Sequence, residues 1–182
     1  MTGPTLTAAD GVTLRPLREQ DLGIMASLAD NPKIWNNLLD VFPHPYGLAD
    51  AHAFYDRLDV SLGPLRTFAV AVDDRFAGVI GFDPLADVHR MGANIGYWLG
   101  EPYWGRGIAT AALRTLTRYA FATFSLERLQ AEVFAWNTPS ARVLEKAGYT
   151  LEGRTRRSIV KASRVSDGLL YARLRGDPAP RR

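Results

Sequence analysis

Residues 96–110 read GYWLGEPYWGRGIAT, which predicts an apolar strand, a glycine-rich turn and the first turn of a helix. The helix is predicted to begin near Gly107, where the first N–H groups have no partner within the helix. These groups and the helix dipole can bind a phosphate, and Gly105 and Gly107 let the backbone approach it without a Cβ atom between them. Glycine at such a turn often only relieves crowding, so the turn alone leaves its role open. The apolar stripe predicted for the helix is Ile108, Ala112, Leu116, Tyr119 and Ala120.

In the residues before this segment, the patterns of apolar and polar residues predict a strand, then two helices and then three more strands. Two prolines in residues 40–47 exclude a helix through that connection. The predicted elements, in chain order, are a strand over 12–17, a helix through Leu22, Met25, Leu28 and Ala29, a helix over about 48–58, a hairpin of strands 68–72 and 76–82 around an Asp-rich turn, and a strand over 93–99.

After the helix that begins near Gly107, the sequence predicts a strand over 129–135 and a short helix over 139–146. Thr138 is the predicted N-cap of the short helix, Pro139 its first residue and Gly148 its terminator. Residues 149–159 and 168–174 are predicted to pair as a closing hairpin, and residues 177–182 to form a flexible tail. Hairpins combined with strand-helix-strand crossovers predict a single α/β domain with a mixed sheet.

Composition narrows the function classes. The 182 residues are 47% hydrophobic and include no cysteine, which fits one globular domain and excludes disulfides, thiolate metal sites and cysteine nucleophiles. No stretch approaches the roughly 20 apolar residues of a membrane span, so a soluble cytoplasmic protein without a membrane partner is expected. The 22 basic residues are scattered among 19 acidic ones, which favours a mixed charged surface over direct nucleic-acid binding.

Two motifs carry a resemblance to a known family. Residues 104–110 (WGRGIAT), together with Asn137-x-x-Ser140 followed by residues 144–149 (LEKAGY), resemble the two acetyl-CoA signatures of the GNAT superfamily of N-acetyltransferases. The serine form of the second motif, residues 42–46 (FPHPY) and residues 95–99 (IGYWL) are similar to its ribosomal-protein N-acetyltransferase, or RimJ/RimL-like, branch. The resemblance spans nearly the whole chain.

The resemblance implies a GNAT domain over residues 1–176: a mixed, mostly antiparallel sheet with a splayed central strand pair and flanking helices. It also implies transfer of an acetyl group from acetyl-CoA to a primary amine by direct attack. The backbone of the splayed strand would pair with pantetheine, the glycine turn would hold the pyrophosphate, with Arg106 as counter-charge, and Asn137 and Arg142 would contact the pantetheine arm and a CoA phosphate. The implied cofactor-binding residues are Tyr97, Trp98, Leu99, Trp104, Gly105, Arg106, Gly107, Ile108, Ala109, Thr110, Asn137 and Arg142.

In this family the amine attacks the thioester directly, so catalysis needs no nucleophilic side chain. A backbone N–H can stabilise the oxyanion that this attack forms. Ser140 resembles the serine that protonates the leaving CoA thiolate, and it is the predicted catalytic residue. The alternative role for Ser140 is that of a first-turn serine that satisfies a backbone N–H.

The chain departs from the family pattern at the proton-transfer positions. Leu144 stands where many members have a tyrosine acid, and Asn94 where a glutamate base is frequent. Deprotonating a lysine-like amine of pKa about 10.4 at neutral pH costs roughly 4 kcal/mol, against about 1 kcal/mol for an α-amine. We therefore expect an acceptor of low amine pKa, such as a peptide N-terminus, with Glu132 as a base acting through water.

The acceptor site is expected in the first two helices and their loop. The predicted acceptor-binding residues are Trp35, Asn37, Tyr46, Asn94 and Glu132. At its helical spacing Trp35 is also compatible with a core position. Two alternatives stay open, namely acetylation of a small-molecule or antibiotic amine and a non-catalytic CoA-binding regulatory module. A homodimer is possible, and the sequence contains no spacing typical of a metal site or a hydrolase triad.

Overall fold

The computed structural model describes residues 3–9, 11–58 and 63–180. Over these residues it has eight strands and five helices. The strands are β1 (Leu6–Thr7), β2 (Val12–Arg15), β3 (Thr67–Val72), β4 (Arg75–Pro84), β5 (Gly92–Leu99), β6 (Arg128–Phe134), β7 (Thr150–Lys161) and β8 (Arg164–Leu174). The helices are α1 (Leu22–Ala29), α2 (Pro32–Trp35), α3 (Leu48–Asp56), α4 (Ile108–Thr123) and α5 (Thr138–Lys146).

The strands form one mixed sheet in the order β1-β2-β3-β4-β5-β6-β8-β7. The pairs β1–β2, β2–β3, β3–β4, β6–β8 and β7–β8 are antiparallel, and β5–β6 is parallel. The β5–β6 register covers only Gly92–Asn94 against Arg128–Gln130, although both strands continue further. A mixed, mostly antiparallel sheet with a splayed central pair is thus confirmed.

The chain divides into two compact units, of which the first comprises Met1–Gly81 and Tyr97–Leu116. Its core gathers apolar side chains of α1, α3, β3 and β4. The cluster consists of Leu17, Leu22, Met25, Ala26, Ala29, Tyr46, Ala51, Ala69, Phe76 and Val79. The β3–β4 hairpin turns at Asp73 and Asp74, whose φ values of 50° and 61° are those of a tight hairpin turn, as the Asp-rich turn predicted.

A buried ion pair joins the end of β2 to the start of α1. Arg15, only 2% exposed, donates two hydrogen bonds of 2.7 and 2.8 Å to the Asp21 carboxylate. Asp21 also accepts from the N–H of Arg18 at 2.9 Å. The strand predicted to reach residue 17 ends at Arg15, because Pro16 has no N–H to continue the ladder.

The sequence prediction missed β1 and the short helix α2. The α2 helix begins with an Asn-Pro pair: Asn31 is the N-cap, its side chain accepts from the N–H of Lys33 at 2.9 Å, and Pro32 is the first helical residue. This is a recognised start signal, but the helix has only four residues and so little apolar periodicity. The predicted helix over 48–58 is confirmed as α3.

The second unit comprises Phe82–Gly96 and Thr117–Arg182. The closing hairpin is longer than predicted, because β7 and β8 turn at Ala162 and Ser163 with φ values of 46° and 62°. Arg181 and Arg182, part of the predicted tail, lie outside the described residues. The Asp177 N–H donates to Leu174 O at 3.2 Å. The flexible tail from residue 177 and the domain boundary at residue 176 stay predictions.

The predicted N-cap of α5 was wrong by one residue. Asn137 is the N-cap and Thr138 the first helical residue, because the Asn137 side chain accepts from the N–H of Ser140 at 3.3 Å. Gly148 ends the helix as predicted, with φ +87°.

The α4 helix buries the stripe predicted for it. Ile108, Ala112, Leu116 and Ala120 are buried, and Tyr119 is half-buried. Within the described part of the chain, no helix has the length and apolarity needed to cross a bilayer.

Candidate active site

The turn between β5 and α4 is fixed at both ends. Gly100 N–H donates to Ala77 O at 2.8 Å, and Trp104 N–H donates to Glu101 O at 3.1 Å. The Trp104 indole folds back, so that Nε1 donates to Leu99 O at 2.8 Å. The side chain of Trp104 therefore braces the turn that leads into the two glycines.

Gly105 and Gly107 occupy the left-handed region, with φ of 71° and 76°. A Cβ atom on either glycine would meet nothing within 4 Å, so the backbone conformation, and not lack of space, requires glycine here. The first N–H to bond back into α4 is that of Ala111, which donates to Gly107 O at 3.0 Å. The amides from Gly105 to Thr110 precede it at the helix N-terminus, where backbone N–H groups can donate to an anion.

Arg106 brings a positive charge to this turn. A small depression lies beside it. It is lined by Ala9, Val12, Val72, Arg106, Gly107, Ile108 and Ala111. The turn can thus offer an anion both amide donors and a cation.

Gly78 of β4 positions the end of β5, and the sequence prediction missed it. A Cβ atom there would overlap Trp98 O and the Leu99 Cα. The Trp98 ring packs edge-on against Phe42 and Phe76, with centroids 5.9 and 6.1 Å apart. A glycine inside an apolar strand is the signal of such close backbone approach. The backbone of Trp98 and Leu99 therefore packs closely against β4.

In the second unit, α5 presents Asn137 and Ser140 in its first turn. The Ser140 N–H is shared between the backbone O of Asn137 at 3.1 Å and its side chain Oδ1 at 3.3 Å. Since Asn137 supplies the cap, Ser140 is not needed for that structural role. Both side chains are half-buried, Arg142 is exposed, and Leu144 is fully buried.

Asn94 and Glu132 lie on one face of the sheet in the second unit. Asn94 pairs with Gln130 across β5–β6, and Gln130 Nε2 donates to Asn94 Oδ1 at 2.9 Å. Glu132 lies two residues beyond Gln130 and so points to the same side. Its carboxylate accepts from the Thr155 hydroxyl at 2.7 Å.

A second glycine makes the Glu132–Thr155 contact possible. Gly168 of β8 lies between the two side chains, and a Cβ atom there would overlap both Glu132 Oε1 and Thr155 Oγ1. The sequence prediction named Glu132 but neither Thr155 nor Gly168. Nothing local links these three residues, since they lie on three different strands.

The other predicted acceptor residues lie in the first unit. Trp35 packs against His44, with ring centroids 5.5 Å apart, and Asn37 Nδ2 donates to Lys33 O at 2.9 Å. Tyr46 is only 5% exposed and stacks on Phe42 at 4.7 Å. Burial raises the pKa of the Tyr46 phenol to about 12, so it is neutral at physiological pH. Their contact with an acceptor stays a prediction.

Glu101 ties the glycine turn to α2. Its carboxylate accepts from Asn31 Nδ2 at 2.8 Å and pairs with the Lys33 ammonium, whose hydrogen bond holds the Glu101 pKa below its usual range. Among the described residues, no group of three or more His, Asp or Glu side chains is placed to hold a metal ion.

Known proteins resemble this chain in sequence. A family model described as an acetyltransferase (GNAT) domain matches residues 12–150. N-acetyltransferase p20 of Bacillus licheniformis is 28% identical over 92% of this chain and 95% of its own length. Ribosomal-protein-serine acetyltransferase of Escherichia coli is 30% identical over 62% of each chain. Spermidine N(1)-acetyltransferase of Escherichia coli is 28% identical over 81% of this chain and 77% of its own.

A solved structure is also similar to this chain in fold. Mycobacterium smegmatis RimJ, solved in complex with CoA-disulfide, superposes with a TM-score of 0.81 and 27% identity over 94% of this chain and 86% of its own. The family model covers far more than half of the 182 residues, and the mixed, mostly antiparallel sheet is the one that the family resemblance implied. The chain therefore belongs to the GNAT acetyltransferase family and is an N-acetyltransferase.

Proposed function

We propose that this enzyme transfers an acetyl group from acetyl-CoA to the α-amine of a peptide or protein N-terminus by direct attack. The observation that carries the proposal is the glycine turn before α4, with two left-handed glycines and the first amides of a 16-residue helix. A diphosphate is the group that such a turn suits best. The CoA-bound RimJ relative supports the same cofactor.

The cofactor roles follow from this proposal. The amides from Gly105 to Thr110 bind the diphosphate, with Arg106 as counter-charge. The backbone of Tyr97 to Leu99 pairs with pantetheine, and the close packing of Gly78 supports a fixed position for it. In the second unit, Asn137 binds the pantetheine arm through Nδ2, since its Oδ1 caps α5. Exposed Arg142 contacts a CoA phosphate.

The reaction needs one oxyanion donor and two proton transfers. As the amine nitrogen bonds to the thioester carbon, a backbone N–H of β5 stabilises the negative oxygen. The C–S bond then breaks, the thiolate takes the Ser140 hydroxyl proton, and solvent restores the hydroxyl with the proton that the amine releases through Glu132. The amine proton passes through water to Glu132. Buried Leu144 cannot supply a proton, so this step depends on Ser140.

The proton-transfer groups favour an acceptor of low pKa. Asn94 is an amide that already accepts from Gln130, so it cannot serve as a base, and Glu132 is the carboxylate on that face of the sheet. A carboxylate is a weak base for a lysine ammonium, whose deprotonation at pH 7 costs roughly 4 kcal/mol, against about 1 kcal/mol for an α-amine. The Escherichia coli ribosomal-protein-serine acetyltransferase relative supports a protein acceptor.

A thiol-release assay across amine classes tests the acceptor. At pH 7 and equal concentrations we expect peptide α-amines to be acetylated at least about tenfold faster than the same peptides with a blocked N-terminus and a free lysine. Faster turnover of the lysine peptides would contradict the acceptor proposal. Binding of CoA without turnover of any amine would show a regulatory module instead.

A small-molecule amine is the second candidate acceptor. It is favoured by the similarity to spermidine N(1)-acetyltransferase, which covers more of this chain than the similarity to the ribosomal-protein enzyme. The same thiol-release assay with polyamines and aminoglycosides decides between a peptide acceptor and a small-molecule acceptor. Only one of the two classes is expected to give saturable turnover. A cytoplasmic location and a homodimer also stay predictions.

Substituting Gly107 with alanine is expected to weaken CoA binding about tenfold, because φ +76° is unfavourable for alanine and a change of backbone there displaces the amides that we propose hold the diphosphate. The matched control is Gly63→Ala. Gly63 also has a positive φ, +105°, and also has open space around it. Calorimetric titration with CoA should show a change only for Gly107→Ala. Equal CoA affinity of the two variants would contradict the assigned role of the turn.

A further inference from the structure

A wide bulge interrupts β7 where it pairs with β8. Thr155 opposes Gly168 and Ile159 opposes Ser166, so residues 156–158 all oppose the single residue Asp167. The Asp167 carboxylate holds the bulge, because Oδ1 accepts from the N–H of Arg157 at 2.7 Å. Arg157 has a φ of 53°, in the left-handed region. Bulges of this kind re-aim side chains next to active sites.

The bulge begins beside the proposed base. The Thr155 hydroxyl donates to Glu132 at 2.7 Å, and the Ser158 hydroxyl lies 2.7 Å from the Thr155 hydroxyl. Three side chains in hydrogen-bond contact therefore connect the Glu132 carboxylate to the bulge. Gly168 leaves the space that this connection needs.

The charged residues between the start of β6 and the bulge differ in sign. Next to β5, the Arg128 guanidinium pairs with Glu152, so that end is neutral. The Glu132 carboxylate accepts a hydrogen bond from the Thr155 hydroxyl, which carries no charge to neutralise it. Arg156 and Arg157 follow on the bulge, and both are exposed.

The hydrogen bonds of Asp167 go to Arg154 and to the Arg157 backbone, and the charge of Arg156 also helps to lower the Asp167 pKa. Its Oδ2 accepts from Arg154 Nε at 2.6 Å, and its Oδ1 is taken by the backbone N–H of Arg157. The Arg157 N–H is the main reason that the pKa of Asp167 lies below its usual range. A negative carboxylate followed by two guanidiniums complements a ligand with an ammonium group at one end and a carboxylate a short distance away.

We propose that Arg156 and Arg157 bind a carboxylate of the acceptor, so that the preferred acceptor is a peptide N-terminus with an aspartate or glutamate in its first few residues. This inference rests on the proposed function, with the α-amine at Glu132. An extended peptide advances about 3.3 Å per residue, so an acid at the second or third position lies one or two residue lengths from the α-amine.

The test compares three peptides that differ only at position 3, which is Glu, Gln or Lys. For the wild-type enzyme, kcat/KM is expected to be about fivefold higher for the Glu peptide than for the Gln peptide, and lowest for the Lys peptide. In the R156Q/R157Q variant the Glu-to-Gln ratio should fall to about one. The control R90Q removes an exposed arginine of the same unit, and should keep the wild-type ratio.

Two results would overturn the inference: equal kcat/KM for the Glu and Gln peptides in the wild-type enzyme, or an unchanged ratio in R156Q/R157Q. A chain that acetylates no peptide contradicts the proposed function instead. In that case calorimetric titration with the Glu and Gln peptides still tests the bulge, since equal affinities would exclude a carboxylate site. Circular dichroism of each variant confirms that the fold is kept.

Discussion

Replacing Ser140 with alanine is expected to lower kcat by at least about 100-fold, while the Kd for CoA stays within about twofold of wild type. The reason is that the leaving thiolate loses its proton donor and buried Leu144 offers none in its place. The cap of α5 should survive, because the Asn137 side chain and not Ser140 provides it. Steady-state kinetics with a peptide acceptor and calorimetry with CoA measure the two quantities separately.

The matched control for Ser140→Ala is Thr138→Ala. Thr138 is an exposed residue of the same first turn, two positions away, and it has no role in the proposed reaction. Its kcat should stay close to the wild-type value. A Ser140→Ala enzyme with normal kcat would remove serine from the mechanism and leave the thiolate to be protonated by water.

Replacing Asp21 with alanine is expected to lower the free energy of unfolding by about 3–5 kcal/mol, because it removes the buried carboxylate that pairs with the buried Arg15 guanidinium. Arg15 donates two hydrogen bonds to Asp21, and both side chains are almost fully buried. Urea denaturation followed by circular dichroism measures the loss. Should the variant fail to fold, Asp21→Asn, which keeps one acceptor oxygen, is expected to lose less.

Asp74→Ala is the control for Asp21→Ala. Asp74 Oδ1 lies 3.2 Å from Arg15 Nε, close enough for an ion pair, but Arg15 Nε makes no hydrogen bond and Asp74 is 70% exposed. A pair whose carboxylate is exposed to solvent in this way is expected to contribute about 1 kcal/mol or less. Equal losses of unfolding free energy for the two substitutions would show that burial of the carboxylate does not determine how much each ion pair with Arg15 contributes.

The glycine turn and the main elements could be predicted because their signals are local. Gly105 and Gly107 stand directly before an apolar helical stripe, and Asp73 and Asp74 separate two apolar runs. The misplaced cap of α5 has a local cause as well. Asn137 and Thr138 are both good caps, and Pro139 is compatible with the first or second helical position.

Contacts between distant residues could not be predicted in this way. Gly78 and Gly168 look like ordinary strand glycines, and only the register of neighbouring strands shows which atoms a Cβ would meet. The Thr155–Glu132 bond likewise joins β7 to β6 across β8. Tyr46 shows a related difficulty, because an aromatic residue in a polar loop can be packed in the core or lie at a ligand.

The central claim is that the turn between β5 and α4 binds the diphosphate of CoA. A crystal structure of the enzyme soaked or co-crystallised with CoA tests it most directly. We expect diphosphate oxygens within about 3.2 Å of the backbone nitrogens between Gly105 and Thr110. CoA bound at another surface with these amides left facing solvent, or no CoA bound at concentrations that saturate related enzymes, would contradict the account.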